Sequence, residues 1–516
     1  MGVTDARETE RKYEAPSDAE LPDLGSVFNL AVAEHDEVEL DATYYDTADL
    51  RLARAGLTLR RRVGGADEGW HLKLPIDADS RHEVRHPLGR GTRPPVELVA
   101  LTRVHTRDAA LAPVAKLLTR RRRWLLADES GQEQAELAED RVRGVPLDPA
   151  TGAVDWRELE LELAADVPAD LLDTMEKQLR RAGARRSTSP SKLVRVLSDR
   201  LPTATSATTP SKKARRTSSR GDAAVLAYLR EQVDVLRACD PRVRLDSPDA
   251  VHRMRVTARR LRSALQGLRG VLDHDATAQV VEDLRWLGSE LSPARDAEVT
   301  AAHFDAAVHA LPDADILGPV ATQINRRFAR EQARGKQRAV AALDGRRYLE
   351  LQERLDTLLA APPLTTRKRD LLDRQLLKDV RKAYRRTAKR LKQPSREGSS
   401  SPHGASAAPA RAHDDALHEA RKAAKRLRYV LEAVEPVYGK KAATLRKRVK
   451  ATASLLGDHH DTVTARPVLR ELAAQAHQDG GNGFTFGVLY AQEQAAADQY
   501  EARLHQAWKK VAKARL

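Results

Sequence analysis

This chain is short of several residue types, and each shortage excludes something. There is one cysteine, Cys239, in 516 residues. An intramolecular disulfide is impossible and a cysteine-built metal cluster lacks its ligands, which fits a reducing interior. Aromatic residues make up 4% of the chain, so base-stacking platforms of the kind single-strand binders use would be few. No apolar run approaches the roughly 20 residues that a membrane-spanning helix needs. The N-terminus carries no apolar stretch of signal-peptide type. The expectation is a cytoplasmic protein with no membrane partner. A GxxxxGK[ST] loop is also missing, which excludes a P-loop site.

What the chain has in excess is charge. Charged residues are 32% of the total, and Lys plus Arg outnumber Asp plus Glu by 15. Such an excess favours a polyanionic partner: nucleic acid, an anionic surface or a phosphate polymer. The length suggests two to four domains. Two polar stretches rich in Ser, Thr, Ala and Pro, residues 198–222 and 393–415, read as linkers or loops. They suggest a first domain over 1–200, a linker over 201–222, a second domain over 223–508, and a flexible insertion at about 393–415.

The first domain is strand-like. Period-two alternation recurs in ETERKYEA (8–15), GLTLRRRV (56–63), GWHLKLPI (69–76), RHEVRHPL (81–88), RRRRWLLAD (120–128), EQAELAEDRV (133–142) and DWRELELEL (155–163). Short polar turns between them imply an antiparallel sheet or barrel. DLLDTMEKQLRRAG (170–183) reads as a helix with a glycine stop. Glu8, Glu10 and Lys12 share one strand face, as do Arg60 and Arg62, Arg81, Glu83 and Arg85, and Arg121 and Arg123. Lys73 lies two residues from His71. Glu158, Glu160 and Glu162 face one way while Leu159, Leu161 and Leu163 face the other. Half-exposed antiparallel strands alternate like this. Here, though, one strand presents only acids while others present mainly Arg and Lys. A closed barrel would turn these faces inward, where charge needs a partner or a charged ligand. Arg forks and Lys suit phosphate oxygens, and clustered carboxylates suit Mg²⁺ or Mn²⁺. That pairing is the equipment of metal-assisted phosphoryl transfer.

The ordered set E-x-E-x-K (8–12), YYDTADLRLARAGLTLRRR (44–62), HLKLP (71–75), RRRRW (120–124), ELELEL (158–163) and SKLVRVL (191–197) resembles the CYTH superfamily, the triphosphate tunnel metalloenzymes. The resemblance implies an eight-stranded antiparallel β-barrel open as a tunnel. It implies that Lys12, Arg60, Arg62, Lys73, Arg121 or Arg123, and Lys192 grip a triphosphate, with Arg81 joining the cationic lining. It implies that Glu8, Glu10, Glu160 and Glu162, with Asp140, hold the metal ions. Glu158 fits either rim or ligand. The family's usual reaction is hydrolysis of a terminal phosphate; some members make cyclic AMP.

Beyond residue 223 apolar residues recur at three and four spacing, which predicts an all-α bundle. It contains a repeat. VHRMRVTARRLRSAL (251–265) matches LHEARKAAKRLRYVL (417–431), and LSPARDAEV (291–299) matches LGDHHDTV (456–463), setting Asp296 against Asp461. His252, Arg255, Arg259 and Arg262 fall on one helix face, and His418, Arg421, Lys425 and Arg428 repeat the phase. Arg260 and Arg426 flank these stripes. Like charges so stacked are costly unless an anion lies across them. These motifs resemble the CHAD domain, an α-helical domain associated with inorganic polyphosphate. The combined resemblance implies an α+β, two-domain inorganic triphosphatase that needs Mg²⁺ or Mn²⁺, acts on triphosphate, binds long-chain polyphosphate and resides at polyphosphate granules. It gives no reason for nucleic acid as a specific partner. A non-catalytic polyphosphate binder and an adenylate cyclase of the same fold are the alternatives.

Overall fold

Alternating charged and apolar side chains leave a strand with two unlike faces, and a closed sheet resolves them by putting one inside. The computed structural model describes residues 3–14, 21, 23–28, 30–148, 152–201, 220–365, 369–392 and 407–514. They form two units, divided near residue 209. In the first, β1 (Thr4–Glu14), β2 (Ala31–Asp46), β3 (Thr58–Val63), β4 (Gly69–Pro75), β5 (Ser80–His86), β6 (Ala112–Ala127), β7 (Glu133–Pro146) and β8 (Val154–Leu163) are antiparallel. Their order is β5-β4-β3-β2-β6-β7-β8-β1, and β5 pairs back onto β1 to close an eight-stranded barrel. A two-residue strand, β9 (Arg185–Arg186), adds to the end of β1.

The barrel is apolar outside where helices cover it. Tyr13, Leu126, Leu137, Leu159 and Leu161 pack with Leu172, Met175 and Leu179 of α4 (Asp170–Arg181). Earlier in the chain come α1 (Leu24–Phe28), α2 (Arg51–Arg54) and α3 (Val96–Thr106). The α4 helix ends as the sequence predicts, with Gly183 in the left-handed region at φ +91°. After β9, Ser191 caps α5 (Lys192–Val196) by accepting the Val194 N–H at 3.2 Å. Leu193 and Val196 of α5 bury against Ala42, Tyr44, Leu117 and Val142.

One strand escapes the period-two reading. β2 shifts register between His35 and Val38, so its alternation changes phase midway and no single template fits it.

The second unit is helical, with α6 (Arg220–Arg244), α7 (Ala250–Gly267), α8 (Ala278–Glu290), α9 (Ser292–His309), α10 (Val320–Asp344), α11 (Arg346–Ala360), α12 (Arg369–Leu391), α13 (Ala407–Tyr438), α14 (Lys440–Gln478) and α15 (Phe484–Ala512). The two copies of the repeat are α7 with α9 and α13 with α14. Gly267 lets the end of α7 approach α13 closely; a Cβ there would lie 2.3 Å from Val430 Cγ2. Most of the expected linker, 202–219, lies outside the described residues, as do 393–406 of the expected insertion. The remainder of that insertion differs from expectation: from Ala407 the chain is helical. Its alanines favour a helix intrinsically, and that preference outweighs the low-complexity look of the segment. No helix among the described residues is long and apolar enough to cross a membrane.

Candidate phosphate and metal site

Barrel closure segregates the inward charge by strand. Acids come mainly from three neighbours, β7, β8 and β1: Asp140, then Glu158, Glu160 and Glu162, then Glu8 and Glu10. Cations come mainly from the rest: Arg60 and Arg62 on β3, Lys73 on β4, Arg81 and Arg85 on β5, and Arg121 on β6. Register brings the acids level, with Glu10 opposite Glu162, Lys12 opposite Glu160, and Asp140 opposite Glu158. The cavity they surround holds about 360 Å³ and is lined by Glu8, Glu10, Lys12, Tyr44, Arg60, Arg62, Lys73, Arg81, Glu83, Arg85, Arg121, Glu160, Glu162 and Lys192, among others.

The two signs pair with each other. Arg121 grips both oxygens of Asp140, at 2.7 and 2.6 Å, and reaches Glu160 at 2.5 Å. Lys192 Nζ lies 2.8 Å from Asp140, 2.7 Å from Glu158 and 2.6 Å from Glu160. Lys12 donates to Glu160. Lys73 donates to Glu8 at 2.5 Å, and Arg85 reaches Glu8 at 3.2 Å. The pairing is incomplete. Arg60 and Arg62 each bury an Nε without a hydrogen-bond partner. A buried donor without a partner carries its full desolvation cost, so each Nε favours an added acceptor.

Two glutamates on β8 show how position sets ionisation. Burial works against charging Glu160, yet Lys12, Lys192 and Arg121 hold its carboxyl well below the ordinary range. Glu162, two residues on, is pushed up to about 7, foremost by burial and then by Glu8, with Glu10 and Glu160 adding and Lys73 opposing.

Asp140, Glu158 and Glu160 bring carboxylate oxygens within 4.8 Å of one another, a cluster able to hold a cation. Its donors are all oxygen, which suits a hard divalent ion. Glu158 therefore belongs to the buried cluster rather than the rim, and Trp156 Nε1 donates to it at 2.6 Å. Arg123, the other candidate in the RRRR run, instead meets Glu136 at 3.4 Å and does not line the cavity. Arg81 sits toward one mouth and donates to the Asp77 and Ser80 carbonyls.

Several lining residues carry no role read from the sequence, Glu83, Arg85 and Tyr44 among them. Glu83 is 1% exposed and contacts His71, Lys73 and Arg85; against the cost of burial, His71 and Lys73 hold it far below the carboxylate range. Arg85 bridges Glu8 and Glu83. Both share a strand phase with Arg81, which was the available signal. Tyr44 accepts from Arg60 at 3.4 Å; nothing in YYDT marks which tyrosine faces in.

In the helical unit the repeat becomes spatial. Arg255 on α7 pairs with Asp296 on α9 at 2.8 Å, and Arg421 on α13 meets Asp461 on α14 at 3.7 Å. Arg259 reaches across to the Tyr429 hydroxyl at 3.3 Å. Arg428 lies over the Tyr429 ring at 4.6 Å, and Arg260 pairs with Glu432 at 3.2 Å. His418 packs against His460 with the rings tilted and the Nδ1 atoms 3.2 Å apart, and burial, followed by the charge of Arg295, lowers His252. The two stripes face each other: burial, Arg259 and Arg421 pull Lys425 down to about 7. Burial likewise lowers Arg421, with Arg259 and Arg255 adding to the effect. Burial and neighbouring arginines also lower Arg262 and Arg426; for Arg426 these are Arg386, Arg262 and Arg269. A cationic face so crowded is suited to a polyanion.

Residues 6–197 match the CYTH domain family, and residues 227–470 match the CHAD domain family. Two Mycobacterium tuberculosis proteins, both described as uncharacterized, are 35% identical over 521 residues, covering 98% of this chain and 96% of theirs. The chain belongs to the CYTH–CHAD family, with a CYTH barrel followed by a CHAD helical domain. Among solved structures it is similar to PptA from Streptomyces chartreusis (19% identity, TM-score 0.47, covering 56% of this chain and 100% of that one). It is also similar to the CHAD domain from Ricinus communis (23% identity, TM-score 0.39, covering 58% of this chain and 94% of that one).

Proposed function

We propose that the barrel hydrolyses inorganic triphosphate with the help of Mg²⁺ or Mn²⁺, and that the helical domain binds long-chain polyphosphate. The observation that carries this reading is the division of the barrel's inner wall. Buried arginines with unpartnered Nε atoms, Arg60 and Arg62, share one cavity with the acids Glu8, Glu10, Glu160 and Glu162. A pure anion binder has no use for the acids, and a pure cation site has none for the arginines.

In this reading Arg60, Arg62, Lys73 and Arg121 neutralise phosphate oxygens, and Arg81 guides the anion at the mouth. Lys12 and Lys192 exchange their carboxylate partners for phosphate oxygens. That exchange frees Glu160, Asp140 and Glu158, and the turn of Lys73 from Glu8 to phosphate frees Glu8, so that they join Glu10 and Glu162 as oxygen donors. A divalent ion held there would supply Lewis-acid polarisation and a more acidic water. The chain's part is to fix the phosphates in line and exclude bulk solvent. In the helical domain, Arg255, Arg259, Arg260 and Arg262 would contact successive phosphates together with Arg421, Lys425, Arg426 and Arg428, flanked by His252 and His418.

The test is phosphate release by the purified full chain from tripolyphosphate, ATP, thiamine triphosphate and long-chain polyphosphate, with Mg²⁺ or Mn²⁺. Tripolyphosphate should turn over fastest. No release from any triphosphate, together with tight polyphosphate binding, would leave a binding protein.

A further inference from the structure

The lining of the barrel cavity includes an acid that belongs to neither charged wall. Asp67 lies on the turn between β3 and β4, and its carboxylate pairs with the Arg62 guanidinium. Arg62 is 4% exposed and Asp67 43% exposed, so the acid reaches in from solvent to a buried cation. Arg62 also donates to the Asp67 carbonyl at 3.3 Å, and His71 Nε2 lies 2.9 Å from that carbonyl. The turn itself is pinned. Gly64 and Gly65 have φ of +89° and +79°, and a Cβ on Gly64 would lie 2.4 Å from the Glu39 carbonyl oxygen.

Strand direction places this turn. In the antiparallel β3–β4 hairpin, Thr58 is opposite Lys73 and Arg62 is opposite Gly69. The lining residues Pro75 and Asp77 are therefore at one end and Asp67 at the other. Along this hairpin the inward cations run Lys73, Arg60, Arg62 from the Pro75 end, so a linear phosphate chain entering there meets Arg62 after the other two. A chain that extends further must displace Asp67.

We infer that Asp67 is a specificity-determining gate: its carboxylate occupies the terminal phosphate position on Arg62 and penalises phosphate chains that reach past it. This rests on the triphosphatase reading for its substrate class. The physical basis is competition, since an internal anion lowers the apparent affinity of an external one by the fraction of time it holds the cation. Only charge and reach matter, so a glutamate at this position should still close the gate, whereas an asparagine should not.

The experiment compares the full-length wild type with Asp67→Asn, Asp67→Ala and Asp67→Glu. Affinity for tripolyphosphate is measured calorimetrically without divalent metal, and kcat/KM is measured for tripolyphosphate and for longer linear polyphosphate with Mg²⁺. The helical domain is common to all four proteins, so differences in affinity report on the barrel. The Asn and Ala variants should bind tripolyphosphate about tenfold more tightly, corresponding to a gate closed for about nine-tenths of the time. They should also gain more kcat/KM on longer chains than on tripolyphosphate, while Asp67→Glu stays near wild type. Unchanged affinity with an unchanged length ratio would overturn the proposal. Weaker binding with a lower melting temperature would make Asp67 a structural counter-ion and would also overturn it. If the wild type releases no phosphate, the hydrolase reading fails, and the affinities alone still decide the gate.

Discussion

Lys425 is the side chain whose chemistry the fold alters most usefully. Its ordinary pKa is 10.5, and burial beside Arg259 and Arg421, with Arg428 near and Asp461 opposing, lowers it to about 7. Below about pH 7 the lysine is charged both folded and unfolded, and the folded chain bears the repulsion. From 7 to 10.5 the unfolded chain binds the extra proton, so this group makes stability rise with pH. A bound polyanion reverses the preference and draws a proton onto Lys425. Polyphosphate affinity should therefore fall as pH rises above 7, more steeply in the wild type than in Lys425→Met. Calorimetry in buffers of differing ionisation heat should register proton uptake; equal pH slopes in the two proteins would contradict it. At this scale much was legible, because strand and helix phase are written in residue order. Lys12, Arg60, Arg62, Lys73, Glu8 and Glu10 line the barrel cavity as their phase predicts. Asp67 was not legible, because a turn has no phase and only the folded hairpin brings it to Arg62.

Among the elements, α9 and α10 approach through a glycine. A Cβ on Gly335 of α10 would lie 2.5 Å from the Ala294 backbone of α9. Gly288 in α8 has nothing within 4 Å of a Cβ position. Helix propensity alone says that alanine should stabilise both positions by about 0.5–1 kcal/mol. Packing reverses the sign at Gly335, where overcrowding costs about 1–3 kcal/mol. Urea unfolding of Gly335→Ala and Gly288→Ala should move in opposite directions; a stabilised Gly335→Ala would contradict the close packing. The strands whose charged and apolar faces alternate cleanly were readable because one unbroken phase separates those faces. The register shift in β2 broke its phase, and α3 carries no cap or stop strong enough to announce it.

The molecule as a whole joins two phosphate-directed units in one chain, and their roles should separate by mutation. Glu10→Ala should abolish phosphate release from tripolyphosphate and leave long-chain polyphosphate affinity in place. The double variant Arg259→Ala/Arg421→Ala should weaken long-chain binding and flatten its salt dependence, because each lost phosphate contact removes nearly one counterion from the binding equilibrium. Its tripolyphosphate turnover should stay at the wild-type level. Loss of both activities in either protein would contradict the division.

Residue order alone carried the two-domain plan, the inward phase of the barrel charges and the duplicated histidine and arginine stripes, because period and repetition are one-dimensional properties. Tertiary structure decided the rest. Closure of β5 onto β1 set the acidic wall against the cationic wall and drew Glu83, Arg85 and Tyr44 into the cavity. Strand register and α5 gathered Asp140, Glu158 and Glu160 around Lys192, and packing within the helical unit laid α7 against α13 so that two basic stripes became one face. Which charges meet depends on strand register and helix packing, and those are settled only when the apolar faces find each other.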